Sequence, residues 1–273
     1  MRDPIEDVRD HYDRLSGVYA LLWGEHIHHG YWDGGENDAP TLRFVEHLAS
    51  FAEIERGSRV LDVGCGVGGS ALWLARTLDC RVEGITISPI QALTAWGRAQ
   101  RDGLGGKISV RVQDARTWDA PQAGFDVLWI VEASEHFDDR KETLARLART
   151  LRPQGRLALG ALLAGGAPTT PEQERLLGRI LDGMLFPSLG TAEDYAGWLD
   201  AAGFADIQME DASLNVSRTW EPLHALAAGA AWSGLLGACD KRVRAFVDAC
   251  SCMLPAYGCG ALRFGIFTAR RRP

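Results

Sequence analysis

The stretch Val60-Leu61-Asp62-Val63-Gly64-Cys65-Gly66-Val67-Gly68-Gly69 decides the fold. An apolar, strand-like run leads into Gly64-x-Gly66-x-x-Gly69, and a helical pattern follows from Gly68 to Leu78. Glycines at this spacing let the chain turn sharply and let a ligand approach the backbone, while the helix N-terminus presents free N–H groups. The spacing alone fits a dinucleotide loop, and it also fits a plain tight turn. Asp62, two residues before the first glycine, separates the ligands. A carboxylate there would repel a pyrophosphate and would pair with the ammonium on the methionine end of S-adenosylmethionine. The charge therefore favours S-adenosylmethionine over NAD, with Asp62, Gly64 and Gly66 among its binding residues.

Outward from this loop, strand-like runs at Arg59 to Val63, Arg81 to Ile87, Lys107 to Val112, Phe125 to Val131 and Gly155 to Gly160 alternate with helical stretches. That rhythm predicts βαβ units and a mainly parallel sheet. Helices are expected before the first strand, over 5–23 and 40–53. After Gly160 the alternation stops: 168–187 and 191–202 read as two helices with no strand between them, which looks like a lid. A strand over 205–210, a long helical stretch from 220 to 254 and a last strand over 261–269 complete the pattern. The expected plan is an N-terminal helical cap (1–56), a ligand-binding core (57–160), a helical lid insertion (161–203) and C-terminal strands and helices that complete the core (204–273). Gly160, Gly165 and Gly166 are candidate hinges, and the segments 161–200 and 10–32 are expected to order when ligands bind.

The chain has 273 residues, 46% hydrophobic and 24% charged, with a formal net charge of −7. A surface of that sign lacks the basic footprint of a nucleic-acid binder. Arg270-Arg271-Arg272 reads as a solvated tail. No apolar stretch reaches the roughly 18 residues of a spanning helix, and the acidic start lacks a signal-peptide pattern, so the chain is expected to be cytoplasmic. The six cysteines show no disulfide spacing, and Cys250-x-Cys252 lacks the C-x-x-C partner of a zinc site, so free thiols and no metal are expected.

The loop Val60 to Gly69 resembles motif I of the class I S-adenosylmethionine-dependent methyltransferases, and the likeness extends over nearly the whole chain. It implies a Rossmann-like, seven-stranded α/β fold whose last strand is antiparallel. In most of that family the second strand ends in an acid that grips the ribose, whereas here Thr86 stands at that place. Gly84-Ile85-Thr86-Ile87-Ser88-Pro89-x-Gln91 is instead similar to the branch of tocopherol, sterol and cyclopropane-fatty-acid methyltransferases. The resemblance assigns Thr86, Ile87 and Gln91 to the ribose, and Asp114 and Ala115 to the adenine. Ser88 also reads as a helix N-cap with Pro89 at N1, and Asp114 also reads as an ordinary turn former.

Glu132-Ala133-Ser134-Glu135-His136 follows the fourth strand, at the sheet edge where open α/β folds bind ligands. Glu-x-x-Glu-His recurs in the same branch, which implies Glu132 beside the methionine part of the cofactor and Glu135 and His136 facing the acceptor, all three as catalytic candidates. Local capping or pairing on the next helix is the competing role for Glu135 and His136. Trp23-Gly24-Glu25-His26-Ile27-His28-His29-Gly30 is similar to the branch's segment that folds over the cofactor, placing Ile27 and His28 there, with Tyr12 and Tyr31 as weaker candidates. Trp198, Trp220 and Trp232 in the expected lid region suggest a bulky apolar or cationic acceptor.

The function expected is methyl transfer to a small lipophilic or natural-product acceptor, with carbon as the leading target atom. Nitrogen or oxygen methylation on the same scaffold, a cofactor-binding cyclase that no longer methylates, and an NAD-dependent oxidoreductase are the alternatives. A homo-oligomer is among the states the sequence allows.

Overall fold

A computed structural model describes residues 3–35, 38–119, 124–227 and 240–273. Trp232 and Cys239 lie outside them. Two helices come first, α1 (Pro4–Trp23) and α2 (Pro40–Phe51). Asp3 caps α1 by accepting the Ile5 N–H, with Pro4 at the first helical position, and Gly24 ends it at φ 67°. The core alternates as β1 (Arg59–Val63), α3 (Gly69–Thr77), β2 (Arg81–Thr86), α4 (Pro89–Arg101), β3 (Ile108–Val112), β4 (Phe125–Val131), α5 (Arg140–Ala148) and β5 (Leu151–Ala164). The remainder is α6 (Pro171–Met184), α7 (Ala192–Ala201), β6 (Phe204–Asp211), the short helices α8 (Ser213–Val216) and α9 (Glu221–Ala227), α10 (Lys241–Gly258) and β7 (Leu262–Arg271).

The strands form one seven-stranded sheet in the order β3-β2-β1-β4-β5-β7-β6. β1 to β5 run parallel, and β7 inserts antiparallel between β5 and β6. This is the Rossmann-like seven-stranded plan implied by the resemblance. The order reverses at β1/β4, so the loops after these two strands open a crevice at the carboxyl edge. β1 reads as a continuous apolar run because both its faces are covered: Val60, Leu61 and Val63 are all buried, in clusters on opposite sides of the sheet.

Several expectations are corrected. β5 begins at Leu151 and continues to Ala164, since residues Arg156 to Ala164 pair with Arg270 to Leu262 of β7. Gly160 therefore lies mid-strand, where an added Cβ would sit 2.8 Å from Phe44, and it is no hinge. The stretch 161–203 serves two places in place of one lid. α6 packs on α10, closely enough that a Cβ on Gly183 would meet the Ala245 carbonyl at 2.2 Å. α7 packs against α5 and β6, with Tyr195 stacked on Phe267 and Leu199 fully buried, so it covers the sheet.

The expected long helix over 220–254 is interrupted: a 3₁₀ turn (Ser217–Trp220) and α9 precede α10. Arg270 and Arg271 are strand residues instead of a loose tail. Arg271 donates to the Leu151 carbonyl, and Arg272 pairs with Asp200. Among the described residues no helix is long and apolar enough to cross a membrane.

β6 is an edge strand, and Phe204 anchors it with a fully buried ring. Phe204→Ala is expected to destabilise the protein by about 3–5 kcal/mol in denaturant unfolding. Leu214→Ala, at a side chain 88% exposed, should stay within about 0.5 kcal/mol of the parent.

Candidate active site

The glycine loop turns because Gly64, Gly66 and Gly68 adopt φ of 74°, 52° and 87°, a region costly for other residues. Gly69 has a different task. A Cβ there would lie 2.3 Å from the Glu25 carbonyl and 2.6 Å from the His26 ring, so this glycine admits the segment 24–32, which crosses the loop as a strap. Beneath the strap, Asp62 and the rings of His26 and His28 line a small cavity of about 330 Å³ together with Gly64 and Gly66. Asp62 is 2% exposed, and its Oδ2 has no hydrogen-bond partner. Burial alone pushes its carboxyl up to about 7. A buried oxygen left unsatisfied beside a glycine-lined cavity is what an incoming ammonium would complete.

A larger cavity of about 670 Å³ adjoins it across Ile27, Gly64 and Gly66. Thr86, Ile87 and Gln91 line one wall, Asp114 and Ala115 another, and Glu132 and His136 a third. The Thr86 hydroxyl donates to Gln91 Oε1 at 2.8 Å, so the two expected ribose residues orient one another. Ser88 caps α4 by accepting the Gln91 N–H at 3.0 Å and donates to Asp13 of α1, which ties the first helix to this wall. Asp114 fills both of its sequence readings: it lines the cavity and also closes a local turn through the Arg116 N–H at 2.9 Å. The Arg116 guanidinium pairs with the same carboxylate at 2.9 Å, a partner that the sequence pattern did not single out.

A third cavity, of about 470 Å³, lies on the far side of Tyr12, Ile27 and Glu132, and these three residues line both it and the larger one. Its other walls are mostly aromatic or sulfur-bearing, with Tyr19, Trp23, Phe186, Trp220, Phe246 and Met253 prominent. Glu132 reaches the junction from the end of β4 with φ 49°, a left-handed conformation uncommon outside glycine and characteristic of functional sites. Its carboxylate accepts the His29 N–H at 2.7 Å and pairs with His29 Nδ1 at 2.9 Å. Burial pushes Glu132 up, but the His29 ring and backbone N–H beside it outweigh it, and the carboxyl is held below its usual range.

The assignments within Glu-x-x-Glu-His are rearranged. Glu132, expected beside the cofactor and as one of three catalytic candidates, is the carboxylate that reaches the aromatic chamber. Glu135 lines none of the three cavities: it is fully buried and accepts the Leu162 N–H of β5 at 2.6 Å. Burial first, and then the neighbouring Glu132 charge, push its carboxyl up to about 8, so it is neutral at pH 7. His136 lines the larger cavity and meets the Tyr12 hydroxyl at 2.9 Å. Burial pulls its ring down to about 3.

Ile27 and His28 line the cavities beneath the strap. Tyr31 does not, since it stacks on His47 and donates to Glu210 at 2.9 Å. Of the two described lid tryptophans, Trp220 lines the chamber, and Trp198 packs on Tyr195 under the Arg140 guanidinium. Tyr19, Phe246 and Met253 were missed because the spacing of a buried helix face says nothing about which buried residues border a void. Among the described residues no group of three or more metal-ligating side chains converges.

Comparisons with known proteins decide the chemistry. A family described as "Methyltransferase domain" matches residues 60–155, which hold the glycine loop, Asp114 and the acidic motif. The Oryza sativa subsp. japonica protein named probable tocopherol O-methyltransferase, chloroplastic, is 31% identical over 97% of this chain and 78% of its own length. The chain belongs to the class I S-adenosylmethionine-dependent methyltransferases. The 27-O-demethylrifamycin SV methyltransferase of Amycolatopsis mediterranei (strain S699) is 34% identical over 77% of each chain. Among solved structures, a cyclopropane synthase from Mycobacterium tuberculosis superposes with a TM-score of 0.82 at 20% identity, covering 97% of this chain and 98% of that one.

The methyltransferase uses S-adenosylmethionine, which sets aside the NAD reading, and the vacant Oδ2 of Asp62 fits that ligand's ammonium. Asp62→Ala is expected to weaken S-adenosylhomocysteine binding by roughly 1.5–3 kcal/mol, about tenfold or more. The free carboxyl titrates at about 7 and a bound ammonium favours its charged form, so affinity should rise with pH through that value. Asp62→Asn should lose this pH dependence in calorimetric titrations.

Proposed function

We propose that this methyltransferase methylates a bulky, largely apolar small molecule held in the aromatic chamber, with carbon as the acceptor atom. The observation that carries the reading is the junction at Tyr12, Ile27 and Glu132, where the larger cavity meets a chamber with aromatic walls. The reading places Asp62, Gly64, Gly66 and His28 around the methionine part of S-adenosylmethionine, and Thr86, Ile87, Gln91, Asp114 and Ala115 around its nucleoside. When bound, S-adenosylmethionine supplies an electrophilic methyl group.

The protein's share is to align an electron-rich atom and exclude water. Ile27 provides an apolar wall on both sides of the junction, and the strap closes the site from above. An activated aromatic carbon must lose a proton after methylation, and an alkene must have its developing positive charge stabilised. Glu132 stands at the junction and is held in its charged form, so it serves either demand. His136 is neutral and hydrogen-bonded to the Tyr12 hydroxyl, and it acts by orienting that hydroxyl at the same opening.

Both relatives named above carry oxygen methylation in their names, which makes a hydroxyl acceptor the second reading. The same Glu132 would then take the hydroxyl proton. The proposal also includes the sequence divisions at 56 and 203, with the one expected at 160 moved to the end of β5 at Ala164, and a cytoplasmic setting. The free described cysteines support that setting.

Assays of an acceptor panel with methyl-labelled S-adenosylmethionine, followed by NMR of the product, test the reading and identify the methylated atom. Glu132→Gln is expected to lower turnover about 100-fold or more, in the range of a lost general base, while keeping affinity for S-adenosylhomocysteine. Tyr12→Phe should lower turnover less, and Glu135→Gln should leave it nearly unchanged. A Glu132→Gln enzyme with full turnover, or a Glu135→Gln enzyme as damaged as it, overturns the assignment.

A further inference from the structure

We infer that His29 is the positioning residue of the reaction site: pinned in one tautomer by Trp220, it holds the Glu132 carboxylate at the junction of the two cavities. The inference rests on the reading of Glu132 given above. His29 is 1% exposed and lines neither cofactor-side cavity, but it borders the aromatic chamber beside Glu132. Trp220 Nε1 lies 2.6 Å from His29 Nε2. An indole nitrogen can only donate, so His29 Nε2 must be the accepting, unprotonated nitrogen. The Tyr257 hydroxyl reaches the same nitrogen at 3.1 Å and can donate to it as well.

The ring proton is left on Nδ1, and Nδ1 is 2.9 Å from Glu132 Oε2. The backbone N–H of His29 takes the other carboxylate oxygen at 2.7 Å. The His29 backbone N–H fixes one oxygen of Glu132 by a hydrogen bond, and the ring holds the other at contact distance, Nδ1 making no well-aligned hydrogen bond there. His29 belongs to the strap, while its own orientation is set from the 3₁₀ turn Ser217–Trp220 and from α10. A ligating histidine whose second nitrogen is fixed in this way follows the general rule that the partner on one nitrogen dictates what the other presents.

Without the Nδ1 proton, the buried Glu132 would keep only the His29 backbone N–H and the His28 ring to offset its burial. The groups around it are Tyr12 and Tyr19 from α1, His28 from the strap, Glu135 from the turn after β4 and Tyr257 from α10. Glu135 and the tyrosines add no positive charge, and burial drives His28 towards its neutral form. Loss of the His29 donor should therefore raise the Glu132 pKa and move the acidic limb of the turnover profile to higher pH.

The first test reads the tautomer directly, by ¹⁵N NMR of the histidine-labelled full-length enzyme: Nδ1 protonated and Nε2 bare are expected for His29. A proton on Nε2, or on both nitrogens, overturns the inference without reference to activity. The second test compares His29→Leu with His29→Asn, whose amide can still donate to Glu132. His29→Leu should lower kcat roughly tenfold or more, leave S-adenosylhomocysteine affinity near the parent value and shift the acidic limb upward. His29→Asn should recover part of both effects and stays informative if the leucine variant fails to fold. Parent-like kcat and an unshifted limb in His29→Leu or His29→Asn, with Glu132→Gln inactive, show that His29 only packs and sink the inference alone. Full turnover in Glu132→Gln removes the reading on which it rests.

Discussion

Asp62, next to last in its strand, has an oxygen buried and unpartnered, and the chain around it is arranged to maintain that state. Desolvating a carboxylate without giving it a donor costs free energy, which a protein tolerates where a ligand is to supply the missing partner. The glycines on one side leave room where side chains would fill the cavity. The strap on the other side can approach only because Gly69 lacks a Cβ. A group that is only partly ionised in the free protein and charged in the complex couples binding to proton release, so the loop acts as a sensor of the ligand's ammonium.

Three carboxylates in and behind one crevice are set to three different states by their surroundings. Asp62 has burial and an unpartnered Oδ2, Glu135 has burial and a nearby like charge set against backbone donors, and Glu132 has burial offset by the His29 ring and backbone N–H. Environments that drive chemically similar groups apart in this way distinguish the group that reacts from those that bind or brace. By that criterion our proposal gives the chemistry to Glu132, while Glu135 holds the end of β4 against β5. The left-handed backbone at Glu132 points to the same residue.

Much of this was legible in the sequence, for physical reasons that differ from place to place. The glycine loop, the β1 run and the Ser88-Pro89 cap are local patterns whose conformations depend on neighbours a few residues away, and they appear as read. Thr86, Gln91 and Asp114 follow because each sits at a fixed distance from the end of a strand. The roles of Glu132 and Glu135 were not readable. Residues three apart after a strand can point to opposite sides, and the positive φ of Glu132 decides which one reaches the chamber.

His29 was hidden for a related reason. Three histidines in four residues are ambiguous until Trp220 and Tyr257, nearly 200 and more than 200 residues away, are brought to the ring of one of them. Gly160 looked like a hinge because its strand is extended by pairing with β7, a contact made by more than 100 residues of intervening chain.

The account stands or falls on the direction in which the methyl donor faces. A crystal structure with S-adenosylhomocysteine bound tests it most directly. The ammonium should lie at roughly 2.7–3.2 Å from Asp62 Oδ2, and the sulfur should face the opening between Tyr12, Ile27 and Glu132. A sulfur turned away from that opening, towards the Asp114 and Arg116 end of the cavity, would contradict it.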